Sequence, residues 1–349
     1  MQVSSAEKVC ESREVSALVT EGICFKFTRM LSVHLEAGGV TTRTEPMPRI
    51  PKGFARIRLR LAGICSTDLE LQRGYYGFSG TPGHEFVGDV VAVNDADGER
   101  WLGQRVVGEI NLACGKCQWC KRGLGRHCPT RTVLGIVNYP GAFREFLTLP
   151  LVNLHRVPAF ITDEQAVFCE PIAAACEILD QVKIPKGASV AVLGDGKLGL
   201  LVAQVLQATG ARVHLFGRHK EKLRLVENVG VETEVIPATL PNGKYRWVVD
   251  ATGSSEGLSV AVTLCEPRGT VIMKSTLHGL VPMDTAPIIV NEVTLVGSRC
   301  GRFAPALRLL RHSKIDVTPM ISEQLSLARA KQAFAKAATK GVLKVLLRP

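Results

Sequence analysis

The sequence predicts an α/β protein made of two unlike halves, an irregular β-barrel and a doubly wound parallel sheet. Three observations predict it. Gly, Pro and short β runs dominate as far as about residue 160. From residue 189 onward, apolar strands alternate with helical segments. The first of those strands runs into a Gly-x-Gly-x-x-Gly turn.

Taken in order, residues 1–29 fit no targeting signal, because "SALVTEGICFKF" is broken by Glu21 and no cleavage site follows. They are expected to be a disordered extension, with an ordinary domain start at Met30. "FARIRLRL" (54–61) alternates apolar and basic residues, as a half-exposed strand does, and "HEFVGDVVAV" (84–93) is a second strand, closed by the turn-rich "NDADG". "DEQAVFCEPIAAACEILDQV" reads as one helix with Asp163 as its cap. Strands follow at 189–193, 212–216, 246–251, 270–274 and 293–297, with helices at 197–209, 218–229 and 254–265. Beyond 303, "FAPALRLLRH" and "LARAKQAFAKAA" read as helices and "VLKVLL" as a last strand.

Composition excludes several function classes. The formal net charge is +11, yet the 43 Lys and Arg are spread along the chain without a block of five or six, so a nucleic-acid partner is not expected. No run reaches the roughly 18 apolar residues of a membrane-spanning helix. Eleven cysteines, an odd number with tight local spacing, argue against a disulfide framework and for a reducing, cytoplasmic setting with some cysteines as metal ligands.

In "SVAVLGDGKLGLLVAQVL", Gly194 allows a tight turn and Gly196 allows close approach of a pyrophosphate. Gly199 lets helix and strand pack. The helix N-terminus, opening with Lys197 and Leu198, offers N–H groups to phosphates. The next strand ends in "VHLFGRHKEKL", about 20 residues on. An NAD-binding unit carries Asp or Glu there for the ribose 2′-hydroxyl, whereas this chain has Gly217. Glycine is read as leaving room for a 2′-phosphate, with Arg218 as its fork and His219 and Lys220 adding charge. NADP(H) is therefore expected over NAD(H).

Cys114, Cys117, Cys120 and Cys128 follow a C-x₂-C-x₂-C-x₇-C spacing, the donor set of a closed, structural Zn²⁺ site. As a nucleic-acid-binding zinc ribbon this lobe fails, because "KRGLGRH" is too short for a recognition helix. A second set is dispersed: Cys65, His84, Glu85 and Glu170 suit zinc with an open position, although their spacing alone does not prove it.

The succession "GICSTD", "GHEFVG", the four-cysteine lobe, "EP" and "GDGKLG" resembles the zinc-dependent medium-chain dehydrogenase/reductase superfamily across 30–349. The "EP" glutamate makes it similar to the sorbitol, threonine and glucose dehydrogenase branch. The resemblance implies a GroES-like catalytic domain (30–178, with the zinc lobe at 114–128), a Rossmann domain (179–302) and a C-terminal return to the catalytic domain (303–349). It implies two Zn²⁺ per chain, one catalytic and one structural. Cys65, His84 and a carboxylate, Glu85 or Glu170, would hold the catalytic ion. Asp68 would orient the histidine and Thr67 would take the alcohol proton. Many relatives have a histidine relay where this chain has Glu70. Asp250 and Gly253 would shape the cofactor cleft, and Arg299 would face nicotinamide or substrate. Tyr75, Tyr76 and Phe78 are candidate pocket residues.

The function implied is hydride transfer between an alcohol, polyol or sugar and NADP(H), in a homodimer or homotetramer. An L-threonine 3-dehydrogenase using NAD(H) and a non-enzymatic cofactor-binding protein are the competing readings.

Overall fold

The computed structural model describes residues 28–37, 39–276 and 280–349, with the side chain of Tyr76 outside that set. The expected extension lies almost wholly outside the described residues, and Arg29 already opens the first strand.

The first body is β-rich. Strands β1 (Arg29–Glu36) and β2 (Gly39–Pro46) form an antiparallel hairpin. Next come β3 (Phe54–Gly63), helix α1 (Ser66–Gln72), β4 (Glu85–Val93) and β5 (Arg105–Gly108). A small sheet of β6 (Asn111–Leu112), β7 (Thr132–Leu134) and β8 (Asn138–Tyr139) frames helix α2 (Gln118–Lys121) of the cysteine lobe. Then come β9 (Phe146–Pro150) and β10 (Leu154–Arg156). In β3, Ala55, Ile57, Leu59 and Leu61 are buried while Arg58 and Arg60 face water, as the alternation predicts.

The single helix expected from 163 is two: α3 (Asp163–Ala166) and α4 (Cys169–Gln181). Pro171 lacks the N–H an uninterrupted helix needs there, but it is tolerated near a helix start. The cap is Thr162, not Asp163. Its side chain accepts from Gln165 N–H in a capping box, while Asp163 pairs with Arg60 and Arg105 at 2.7 and 2.9 Å.

The second body is a six-stranded, all-parallel sheet. Its chain order is β11 (Ser189–Leu193), α5 (Lys197–Ala208), β12 (Arg212–Gly217), α6 (Lys220–Leu223), β13 (Glu232–Val235), β14 (Tyr245–Asp250), α7 (Gly257–Leu264), β15 (Cys265–Met273), α8 (Ala286–Val290) and β16 (Thr294–Gly297). In space the strands run β13-β12-β11-β14-β15-β16, the doubly wound order with β11 and β14 at the switch point. Val190, Ala191, Val192 and Leu193 are all fully buried, as a strand covered on both faces requires. The expected helix at 218–229 is one α turn followed by a 3₁₀ run, stopped by Gly230 at φ +82°. The edge strand β13, "ETEV", has too many charges to be seen in the hydrophobic pattern.

The chain then recrosses. Helix α9 (Phe303–Arg311), β17 (Ile321–Ser326), α10 (Ala330–Ala337) and β18 (Lys344–Arg348) follow, and β18 pairs with β3. The first sheet is therefore β10-β5-β4-β3-β18-β17, and the last strand of the chain lies against the strand that leads to Cys65.

Candidate active site

Cys65 is the N-cap of α1, at the end of β3, and His84 and Glu85 stand at the start of β4. Because β3 and β4 are paired, Gly63 opposite Glu85, these distant residues converge. The donor atoms of Cys65, His84 and Glu85 all lie within 4.8 Å of one another.

Asp68, fully buried, binds the two loops together: it accepts from Cys65 N–H at 2.8 Å and Gly83 N–H at 3.1 Å. Its Oδ1 is 3.5 Å from His84 Nδ1, which leaves Nε2 for a ligand. Thr67 Oγ1 sits 3.8 Å from Cys65 Sγ, a hydroxyl at the rim of the cluster.

The site has an unbalanced charge. Burial opposes charge on His84, yet Asp68 and Cys65 push its pKa well above the ordinary value. Glu85 Oε1 is buried without a hydrogen-bond partner, and His84 Nδ1 has only Asp68 Oδ1 at 3.5 Å. An excess of acidic groups around an orphaned carboxylate oxygen fits a divalent cation. Lys344 also answers it: fully buried on β18, it pairs with Glu85 Oε2, lies 3.5 Å from Ile64 O and stands over the Phe168 ring. Sequence reading missed Lys344. The signal was a lone charge in an apolar strand, "VLKVLL", which must be paired if buried.

Glu170 does not join the three-residue group. It lies near the start of α4, and burial raises its pKa against the pull of His84. Glu70 is partly exposed on α1, and its Oε1 accepts from Arg73 at 2.5 Å. Tyr75 and Phe78 pack in part against the core.

In the lobe, Cys114, Cys117, Cys120 and Cys128 also bring their sulfurs within 4.8 Å. The 117–120 and 114–120 separations are 3.4 and 3.9 Å, near the roughly 3.8 Å edge implied by tetrahedral Zn–S bonds of about 2.3 Å. The Cys114 N–H and the Thr130 hydroxyl lower Cys128 to about 6, whereas burial and Cys117 drive Cys120 up to about 12. Four sulfurs so close could all ionise only around a shared cation, which is the fit expected of zinc. His127 is exposed beside the lobe. A cleft of about 680 Å³ on the lobe's flank, lined by Trp119, Arg126 and Arg302 among others, contains no residue of either cluster.

The glycine loop lies between β11 and α5. Gly194 has φ +111°, and a Cβ there would stand 2.6 Å from Ala251 O. A Cβ on Gly196 would meet nothing within 4 Å, and no side chain caps the α5 N-terminus, so the loop offers open space and donors to a phosphate. Asp250 accepts from Thr252 N–H and its hydroxyl at 3.0 and 2.7 Å and so holds its own turn. Gly253 N–H donates to Ser275 Oγ.

Lys197 is half-buried, and burial and Lys344 lower its pKa against the opposing pull of Cys65, Glu85 and Asp68. Leu198 is half-buried and packs on the core. Arg299 donates to the Arg126 carbonyl at 2.6 Å, tying the lobe to the end of β16.

The expected room at Gly217 is not there. Asp195 fills it: a Cβ on Gly217 would stand 2.7 Å from Asp195 Cβ and 2.8 Å from its Oδ2. Sequence reading missed this acid because it belongs to the glycine loop and not to the strand end. Arg218 and Lys220 have exposed side chains, and His219 turns back to Asp195.

Comparison with known proteins agrees with this geometry. Residues 51–159 match the alcohol dehydrogenase GroES-like domain and 198–312 the zinc-binding dehydrogenase domain. A sorbitol dehydrogenase of Halalkalibacterium halodurans is 27% identical over 331 residues, covering 89% of this chain and 96% of its own. The starvation-sensing protein RspB of Escherichia coli K12 is 30% identical over 240 residues, covering 65% and 70%. A crystal structure from Sinorhizobium meliloti 1021 bound to NADP superposes with TM-score 0.84 at 29% identity, covering 92% and 99%.

Proposed function

Because the chain belongs to the zinc-dependent medium-chain dehydrogenase/reductase family, we propose that it is an oxidoreductase interconverting a polyol or sugar CH–OH group and its carbonyl with NADP(H). The observation that carries this reading is convergence. The donor atoms of Cys65, His84 and Glu85 meet within 4.8 Å, and the pull of Cys65 and Glu85 on the Lys197 amine, next to Gly196 of the glycine loop, is consistent with that loop facing them.

When bound, zinc supplies an electrophile that acidifies an alcohol and polarises a carbonyl, and the nicotinamide takes or returns a hydride. The chain's own residues do the rest. Cys65 and His84 would hold the ion, with Glu85 as third donor and Lys344 pairing with that carboxylate. Asp68 fixes both loops and orients His84. Thr67 stands at the rim to receive the alcohol proton, and Glu70, with one oxygen held by Arg73, is the next carboxylate along α1 after Asp68. The four lobe cysteines would hold a second, structural zinc.

Arg218 and Lys220 at the strand-end turn, and the relative crystallised with NADP, support NADP(H). We also propose a homodimer joined at the β16 edge, where Ile289, Val290 and Leu295 are 72%, 79% and 38% exposed. Sedimentation showing only monomer removes that part.

A screen of polyols, sugars, threonine and simple alcohols with NADP⁺ and NAD⁺ tests the function on zinc-loaded protein. Turnover of a polyol or sugar with higher kcat/KM for NADP⁺ is expected. Threonine with NAD⁺ as the best pair would favour the threonine dehydrogenase reading. Absence of turnover with every alcohol would leave the fold without this activity.

A further inference from the structure

We propose that Asp195, inside the glycine loop, replaces the missing strand-end acid and sets the balance between the two nicotinamide dinucleotides. The inference rests on the reading that this cleft binds such a cofactor.

The geometry is specific. Asp195 is buried, and its Oδ2 accepts from Arg218 N–H at 2.6 Å, from His219 N–H at 2.6 Å and from His219 Nδ1 at 3.0 Å. An ionised carboxylate only accepts, so Nδ1 carries the proton in that contact. Burial raises the carboxyl's pKa, but the hydrogen bonds from His219 and Arg218 outweigh it, and the group is held below its ordinary value. Oδ1 has no partner among the described residues and is not one of the buried unpartnered atoms, so solvent reaches it.

The carboxylate stands at the end of β12, where an NAD-binding unit presents its acid to the ribose 2′-hydroxyl. Here the acid arrives from the neighbouring loop. The two sources exclude each other, because a side chain at 217 would collide with Asp195 Cβ at 2.7 Å. Gly217 is thus the counterpart of Asp195, not a space kept for phosphate.

The consequence for cofactor choice follows from charge. A 2′-phosphate at this turn would seek the Arg218 and His219 N–H groups, and Asp195 already uses both. It would also meet a carboxylate of its own sign. The exposed Arg218 and Lys220 side chains pull the other way. Any NADP(H) preference is therefore held down by Asp195, and neutralising that one group releases it.

The test is a direct binding measurement on the full-length, zinc-loaded protein, with 5′-AMP and adenosine 2′,5′-bisphosphate as probes. Asp195→Asn keeps the shape and an oxygen for the two N–H groups. It should raise the bisphosphate-to-AMP affinity ratio roughly tenfold, about 1.4 kcal/mol. Asp195→Ala should move the ratio in the same direction, which keeps the test decisive if one variant folds poorly. The exchange Asp195→Gly with Gly217→Asp returns an acid from the strand end and should bring the ratio back down. An unchanged ratio in Asp195→Asn, with both probes still bound, overturns the role of Asp195. Arg218→Ala separates the two ideas, since loss of bisphosphate binding there belongs to the NADP(H) reading alone. If neither probe binds the unaltered protein, both readings fall.

Discussion

The two clusters of metal donors are built in opposite ways. The lobe takes Cys114, Cys117, Cys120 and Cys128 from one short segment, and its N–H···S contacts are local. The cleft takes Cys65 from the end of β3 and His84 and Glu85 from β4, with Lys344 arriving from β18 at the far end of the chain. A local cluster needs only its loop. A dispersed cluster needs the sheet in register, because a shift of one residue would turn Glu85 away. The lobe suits a structural ion with no open position, and the cleft suits an ion that must meet a substrate.

The largest effect should separate the two. Cys65→Ser is expected to remove turnover below detection and to lower zinc from about two ions per chain to about one, with little change in melting temperature. Metal analysis beside a kinetic assay reads both. Survival of activity would show that Cys65 is no ligand. The reciprocal lesion, Cys117→Ser, should lose the other ion and cost stability first. A loss of about 3 kcal/mol, a fall in Tm of roughly 5–10 °C, is expected. The cleft ion should remain. If both substitutions emptied both sites, the clusters would not be independent.

The same contrast explains what the sequence made legible. The lobe was readable because its ligands are neighbours in the chain, and β11 and α5 were readable because a buried parallel strand and its helix are almost continuously apolar. The β1–β2 hairpin and β13 were not, since β2 and β13 carry mostly polar, exposed residues. At the site, Cys65, His84 and Glu85 came from a resemblance that the β3–β4 pairing agrees with. Lys344 depends on a contact with Glu85 across 259 residues of sequence, which no local pattern carries. Asp195 was in view, yet its meaning lies in the space above Gly217, and side-chain volume across a parallel sheet has no signature in one strand.

The smallest predicted effect concerns the connection between the two regions. Lys274, at the end of β15, is buried, and its amine donates to Ala174 O and Arg299 O at 2.7 Å and to Ser298 Oγ at 3.3 Å. Arg299 in turn holds the Arg126 carbonyl of the lobe, and Arg126 pairs with Glu177 of α4 at 2.9 Å. The lobe, α4 and the end of the parallel sheet are thus joined through one ammonium. Burial drives Lys274 down to about 8 against the pull of Cys300, Glu170 and Glu177. Lys274→Met keeps the stem and strands three acceptors, which should cost about 2 kcal/mol near neutrality. The sign of the pH dependence follows from the lowered value. Between about 8 and the ordinary 10.5, the folded chain has released a proton that the unfolded chain still holds, so stability rises with pH. Below about 8 both states hold it and the contribution is flat. The difference in unfolding free energy between the unaltered protein and Lys274→Met should therefore stay nearly constant up to about pH 8. By pH 9 it should widen by about 1 kcal/mol, since each unit of separation is worth about 1.4 kcal/mol at most. A gap that stays flat through pH 9 would mean that the amine keeps its charge over that interval and that burial does not lower it.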